Sequence, residues 1–121
     1  MAFTMRRATA RDAGVLWAGG TLRSSSGTTR AFSAGEVRFE PRRTWRSPRT
    51  QNAYPVAMTL SAGDLRCELE PLMDDQELDA RMSTGTVYWE GAVRALQQGR
   101  EIGRGYLELT GYGEPMKNLR G

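Results

Sequence analysis

The chain reads as an all-β domain of about seven to eight short strands, a sandwich or, as favoured here, an antiparallel up-and-down barrel. Three observations point there. Apolar and polar residues alternate with a period of two along most of the chain, and no long segment carries the helical period. Glycine, serine and proline punctuate that alternation. Near the C-terminus, Tyr88-Trp89-Glu90-Gly91-Ala92-Val93 and Gly105-Tyr106-Leu107-Glu108-Leu109-Thr110-Gly111-Tyr112 flank the turn signal Gln97-Gln98-Gly99-Arg100, which predicts one long hairpin. A barrel accounts for so many strands without open edges, and one of this size is filled by side chains or holds one small ligand.

In chain order, Phe3-Thr4-Met5-Arg6-Arg7 predicts a short strand, Ala13-Gly14 leads into a second over 15–24, and a third over 28–33 follows the turn Ser25-Ser26-Gly27. Residues 36–40 set Val37 and Phe39 against charges, and Pro41 is expected to end that strand. The stretch 42–53 is polar apart from Trp45 and predicts a long loop with a buried anchor. Residues 55–61 place Val56, Met58 and Leu60 on one side, Ala62-Gly63-Asp64 turns, and 65–70 returns antiparallel. A second irregular stretch is expected over 74–85, and a frayed tail over 116–121.

A length of 121 residues fits one domain with a real core. No segment approaches the roughly 18 consecutive apolar residues of a membrane span. Residues 1–7 carry charge too early for a secretory leader, so no signal peptide is expected in this chain. The compartment stays open. The single cysteine, Cys67, alternates with Arg66 and Glu68 as a small buried strand residue would, and it cannot form an internal disulfide.

The chain has no histidine. A Ser-His-Asp triad, a Cys-His dyad and a histidine-ligated metal cannot be built from it alone. No metal or organic cofactor is expected, and any chemistry falls to carboxylates, tyrosines, lysine or arginines. Net charge is +3, from 17 basic and 14 acidic residues. Arg30, Arg38, Arg42, Arg43, Arg46 and Arg49 cluster in sequence, but no nucleic-acid motif accompanies them, and the better expectation is that acids elsewhere balance them. Gly103 and Gly105 precede no helix and form no phosphate loop.

Five pieces occur in order: Trp45-Arg46-Ser47-Pro48, Tyr54-Pro55, Asp75-Gln76-Glu77-Leu78, the run 88–93, and Gly103-Arg104-Gly105 running on to Tyr112. Together they resemble the C-terminal domain of the AttH-like family, which includes carotenoid 1,2-hydratase (hydroxyneurosporene synthase). The resemblance covers roughly residues 3–116. It implies a lipocalin-like (calycin) barrel, the second of two in a chain about three times this length. Residues 1–121 would then form a single lipocalin-like domain, with the N-terminal barrel or a second copy as its packing partner. It further implies an apolar, isoprenoid or lipid-like ligand, or addition of water to the terminal double bond of an acyclic carotenoid. Relatives often have a tryptophan after the Tyr-Pro pair, where this chain has Met58.

Hydrating an isolated alkene needs a strong acid. A carboxylic acid kept protonated by burial serves, with aromatic faces to stabilise the cation and a second carboxylate to orient water. The candidate acids are Asp75, Glu77, Glu90 and Glu108; the candidate ligand contacts are Trp45, Tyr54, Tyr88, Trp89, Tyr106 and Tyr112. On the hairpin, Tyr88 and Glu90 share one face with Tyr106, Glu108, Thr110 and Tyr112, while Trp89, Val93, Leu107 and Leu109 share the other. Alternation alone leaves open which face points inward. The bland readings are that Trp89 is core, Trp45 a loop anchor, Glu90 and Glu108 cross-strand partners, and Asp74, Asp75 and Glu77 solvated or turn-capping acids. Three functions compete: a binding module, a hydratase-type enzyme, and a structural half that packs on a sister barrel.

Overall fold

In the computed structural model, residues 1–6 and 15–113 are described. The expectations for Arg7, Ala13-Gly14 and the tail 116–121 fall outside them. Nine strands and one 3₁₀ turn account for the regular structure among the described residues: β1 Ala2–Arg6, β2 Val15–Arg23, β3 Thr29–Phe32, the 3₁₀ turn Ala34–Glu36, β4 Val37–Arg46, β5 Ala53–Ala62, β6 Leu65–Pro71, β7 Glu77–Ala80, β8 Thr86–Gln97 and β9 Arg100–Leu109. The all-β expectation holds, and every pairing among these strands is antiparallel.

The strands form two sheets. β1, β2 and β3 make a three-stranded meander, and β4 to β9 make a second sheet of six. β8 organises the larger one. Its C-terminal half pairs with β6 and its N-terminal half with β7, while β9 pairs with it as a hairpin partner. Among the described residues no ladder closes the two sheets into a cylinder. They meet instead through side chains. Ala18 and Phe32 of the small sheet join Val37, Phe39, Tyr54, Val56, Met58, Leu69, Trp89 and Val93 of the large one in a single buried cluster.

Local chemistry explains the turns. The β8–β9 hairpin closes with Gln97 opposite Arg100, leaving a two-residue loop of Gln98 and Gly99, both at positive φ (51° and 76°). That geometry matches the right-handed twist of the flanking strands. Gly63 turns β5 into β6 at φ 58°, where a Cβ would meet the Arg30 guanidinium and the Phe32 ring at 2.9 Å each.

Four expectations need correction. Pro41 does not end its strand: β4 runs on to Arg46, and register shifts between Pro41 and Arg43 and between Arg43 and Trp45 absorb the missing donor. The stretch 42–53 is therefore strand to Arg46 and a short turn afterwards, with Trp45 half-buried against the core. The stretch 74–85 contains β7, four residues on the edge of β8. Finally, β9 stops at Leu109, so Tyr112 leaves the row of Tyr106 and Glu108.

The outer face of the large sheet explains the arginine cluster. Arg42 and Arg43 on β4 reach across β5 to Glu68 and Glu70 on β6, at 2.6 and 3.3 Å. Beneath them lie the small, buried Ala57 and Thr59. Arg30 pairs with Glu36, Arg38 with Glu40 and Arg49 with Asp75, and Arg46 donates to the Gln51 carbonyl. Acids elsewhere in the chain thus meet five of the cluster's six charges. Cys67 is buried on the core face of β6, which pushes its thiol pKa up and quenches its reactivity. No helix among the described residues is long and apolar enough to cross a membrane.

Candidate functional site

Alternation along β8 answers the question the sequence left open. Trp89 and Val93 are buried together with Leu107 and Leu109 of β9, so the aliphatic face of the hairpin is the core. Tyr88, Glu90, Tyr106 and Glu108 lie on the outer face, and Tyr106 is 69% exposed. Glu90 and Glu108 sit directly opposite each other on neighbouring strands. Glu108 accepts a hydrogen bond from Thr110 Oγ1 at 3.1 Å. Partial burial and the nearby glutamate charges raise the phenol pKa values of Tyr88 and Tyr106.

A different acid goes inside. Glu77 opens β7 opposite Trp89 and therefore shares that residue's inward face. Its side chain is only 2% exposed. It points into the turn after β4, where Gln51 adopts φ 64° and Ser47 N–H donates to the Asn52 carbonyl at 2.9 Å. There Glu77 accepts from Ser47 Oγ at 2.6 Å, Thr50 Oγ1 at 2.7 Å and the Tyr54 hydroxyl at 2.7 Å. The Arg49 guanidinium approaches the same carboxylate at 3.4 Å. Ser47 Oγ and Arg49 lie on Oε1, Thr50 and Tyr54 on Oε2, so both oxygens are fully engaged.

The electrostatics follow from that shell. Burial alone would push the Glu77 carboxyl up, but the hydroxyls of Ser47, Tyr54 and Thr50 and the Arg49 charge outweigh it and hold the group below its usual range. Tyr54 responds oppositely: burial and its bond to Glu77 push the phenol up to about 12. Arg49 also grips Asp75 through both nitrogens, at 2.7 and 2.5 Å, and lowers that carboxyl too.

The five sequence pieces converge on this end of the domain. Trp45 stacks on Tyr54 with centroids 6.3 Å apart, and the Tyr112 ring lies 6.0 Å from Tyr54 on another side. Trp89 is wholly buried and donates its indole N–H to the Asp74 carbonyl at 2.7 Å. Gln76 fills the gap between the ends of β6 and β7 along β8. Its side-chain amide accepts from Ala92 N–H at 3.1 Å and donates to Ala92 O at 3.2 Å, as a strand residue would. The amide lies directly over Gly91, where a Cβ would collide with it.

Of the predicted site residues, the structure brings together Trp45, Tyr54, Asp75, Glu77, Trp89 and Tyr112, and sets Tyr88, Glu90, Tyr106 and Glu108 apart on the outer face. Sequence reasoning missed four participants. Ser47 and Gln76 stood inside motif pieces and Arg49 inside the arginine cluster, while Thr50 gave no signal. An ionised carboxylate with both oxygens engaged accepts hydrogen bonds but has no proton to give. Among the described residues, no group of three or more metal-ligating side chains is placed to hold an ion.

Residues 1–112 match the AttH-like family. A crystal structure of an AttH-type protein from Nitrosomonas europaea superposes with a TM-score of 0.84 and is 53% identical, over 93% of this chain. The match spans 34% of that longer protein. No curated protein matches the sequence. With the family match covering nearly the whole length and a solved relative agreeing in both sequence and fold, this chain belongs to the AttH-like family.

Proposed function

We propose that this chain is a non-catalytic, lipocalin-like domain that packs on a companion domain or holds an apolar ligand, rather than a hydratase acting alone. The observation that carries this reading is the state of Glu77. Alkene hydration requires a carboxyl group that keeps its proton at neutral pH in an apolar setting. Glu77 is the best buried acid among the candidates, yet three hydroxyls and an arginine stabilise its charged form. Asp75 is bound to Arg49, and Glu90 and Glu108 lie on the outer face rather than in an apolar cavity. The polar cluster then acts as a rivet between the β4–β5 turn and the start of β7.

Two further facts favour a domain role. The chain spans about a third of the length of its solved relative. The two sheets share one apolar core, which is the arrangement a lipocalin-like barrel needs even where its ladder is open. The test is to incubate the purified chain with an acyclic carotenoid bearing a terminal isoprenoid double bond and to follow addition of one water by mass spectrometry. The expected result is unchanged substrate, free or bound to the protein. A hydrated product whose formation stops in Glu77→Gln would overturn the reading.

A further inference from the structure

The outer face of the β8–β9 hairpin orders its charges in a way that neither strand reveals alone. Three successive rungs on that face pair Arg94 with Arg104, Ala92 with Tyr106, and Glu90 with Glu108. Like charges directly opposite each other destabilise a strand pair. Exchanging Arg104 with Glu108 would give two cross-strand ion pairs instead. The fold therefore holds a positive rung and a negative rung on either side of a neutral one that carries an exposed tyrosine. Neighbours temper the positive end: Arg104 pairs with Glu101 at 3.0 Å, and Arg94 faces Glu70 on β6, which itself pairs with Arg43. At the negative end the Tyr88 and Tyr106 hydroxyls hydrogen-bond Glu90 and Thr110 donates to Glu108, but among the described residues no cation pairs with either acid.

Such a face is complementary to itself. We propose that a second copy of this chain docks on it, about a twofold axis parallel to the Ala92–Tyr106 rung. That axis lays the Arg94–Arg104 rung of one copy over the Glu90–Glu108 rung of the other, twice. It also brings the two Tyr106 rings together over the small Ala92 residues, and sets Tyr88 of each copy over the half-buried Leu96 of its mate. An interface built from one patch used twice is the usual form of a homodimer. Sheets stacked face to face lie about 10 Å apart, within reach of arginine and glutamate side chains from both sides. The proposal deepens the reading of this chain as a packing domain by naming the packing partner and the face.

The test is charge exchange, read by sedimentation in low salt. Wild type is expected to dimerise, with at least a tenfold weaker association in roughly 1 M salt, where the screening length falls to about 3 Å. The variant Glu90→Arg/Glu108→Arg and the variant Arg94→Glu/Arg104→Glu are each expected to be monomeric. Mixed one to one, they should form a heterodimer, and the variant carrying all four changes should dimerise with itself again. A wild type that stays monomeric at about 100 μM would overturn the proposal, as would a dimer indifferent to both double variants. If a double variant fails to fold, the salt response of the wild-type dimer decides. Carotenoid hydration by a dimer of this kind would sink the non-catalytic reading and leave the interface standing. A monomer that retains an apolar molecule would do the reverse.

Discussion

Two glutamates on neighbouring strands of one sheet meet opposite fates, and the contrast between Glu77 and Glu90 carries most of what this domain teaches. Glu77 faces inward opposite Trp89, loses nearly all contact with water and gains three hydroxyl donors and an arginine. Glu90 is the residue after Trp89 and therefore faces outward, opposite a second glutamate. The buried acid has an arginine and three hydroxyls, whereas the more exposed acid has two phenols and a like charge opposite. That inverts the arrangement an acid catalyst requires, in which burial is left uncompensated so that the proton stays on. Burial with full compensation makes a structural joint, and exposure without a cation partner makes a surface that can meet one.

The contrast breaks most readily at Glu77. Replacing it with alanine removes the acceptor for three hydroxyl donors and leaves Arg49 with Asp75 alone, so a loss of about 3–5 kcal/mol is expected, measured by denaturant unfolding. Trp89→Ala should cost a similar amount, about 3–5 kcal/mol, through the cavity left in the core and the orphaned Asp74 carbonyl. If Glu77→Ala unfolds like the wild type, the rivet is dispensable and the comparison fails at its stronger end.

Next in size is the stitch between Gln76 and Gly91. Gly91→Ala drives a methyl into the Gln76 amide and should destabilise by about 1–3 kcal/mol. In a Gln76→Ala background the same change should cost clearly less, because the two residues share one contact. Equal costs in both backgrounds would mean that Gly91 is required for some other reason.

Acid sharpens the comparison further. The Glu77 and Asp75 carboxyls are both held below their ordinary values of 4.5 and 3.8. A carboxyl with a lowered folded-state pKa stabilises the fold fully above its unfolded value and loses that contribution as pH falls through the folded one. Stability is therefore expected to be level at neutral pH and to fall below about pH 4.5, with Glu77→Gln flattening the fall. The Tyr54 phenol runs the other way. Raised from 10.0 to about 12, it stabilises fully below pH 10 and loses its share as pH rises between those values. The smallest effect belongs to the outer face. Glu108→Gln should leave stability within about 0.5 kcal/mol of wild type, with any change upward as the like-charge rung is relieved.

How much of this could be read from residue order varies along the chain. The strands over 53–62, 65–71 and 86–109 carry clear alternation and a glycine turn each, and their positions follow from that. The core reading of Trp89 agrees with its burial, although alternation alone left open which face of the hairpin points inward. Pro41 misled because a bulge supplies what proline cannot, and a bulge leaves no mark in composition. β7 was hidden because its pattern is inverted, with Glu77 inside and Leu78 42% exposed. Hydrophobic periodicity assigns such a segment to a loop. The five motif pieces were visible one by one, but their convergence rests on contacts between residues 23 to 30 positions apart, such as Tyr54 and Ser47 with Glu77. Gln76 is harder still, since its side chain does the work of a backbone.

The most direct test of the central claim is a site-resolved carbon-13 NMR titration of the Glu77 side-chain carboxyl in the folded protein. The account predicts a carboxylate already ionised at neutral pH and titrating below the ordinary glutamate range, with its transition moving upward in Thr50→Val as one donor is lost. A Glu77 that keeps its proton at neutral pH would contradict the account and return a buried general acid to this domain.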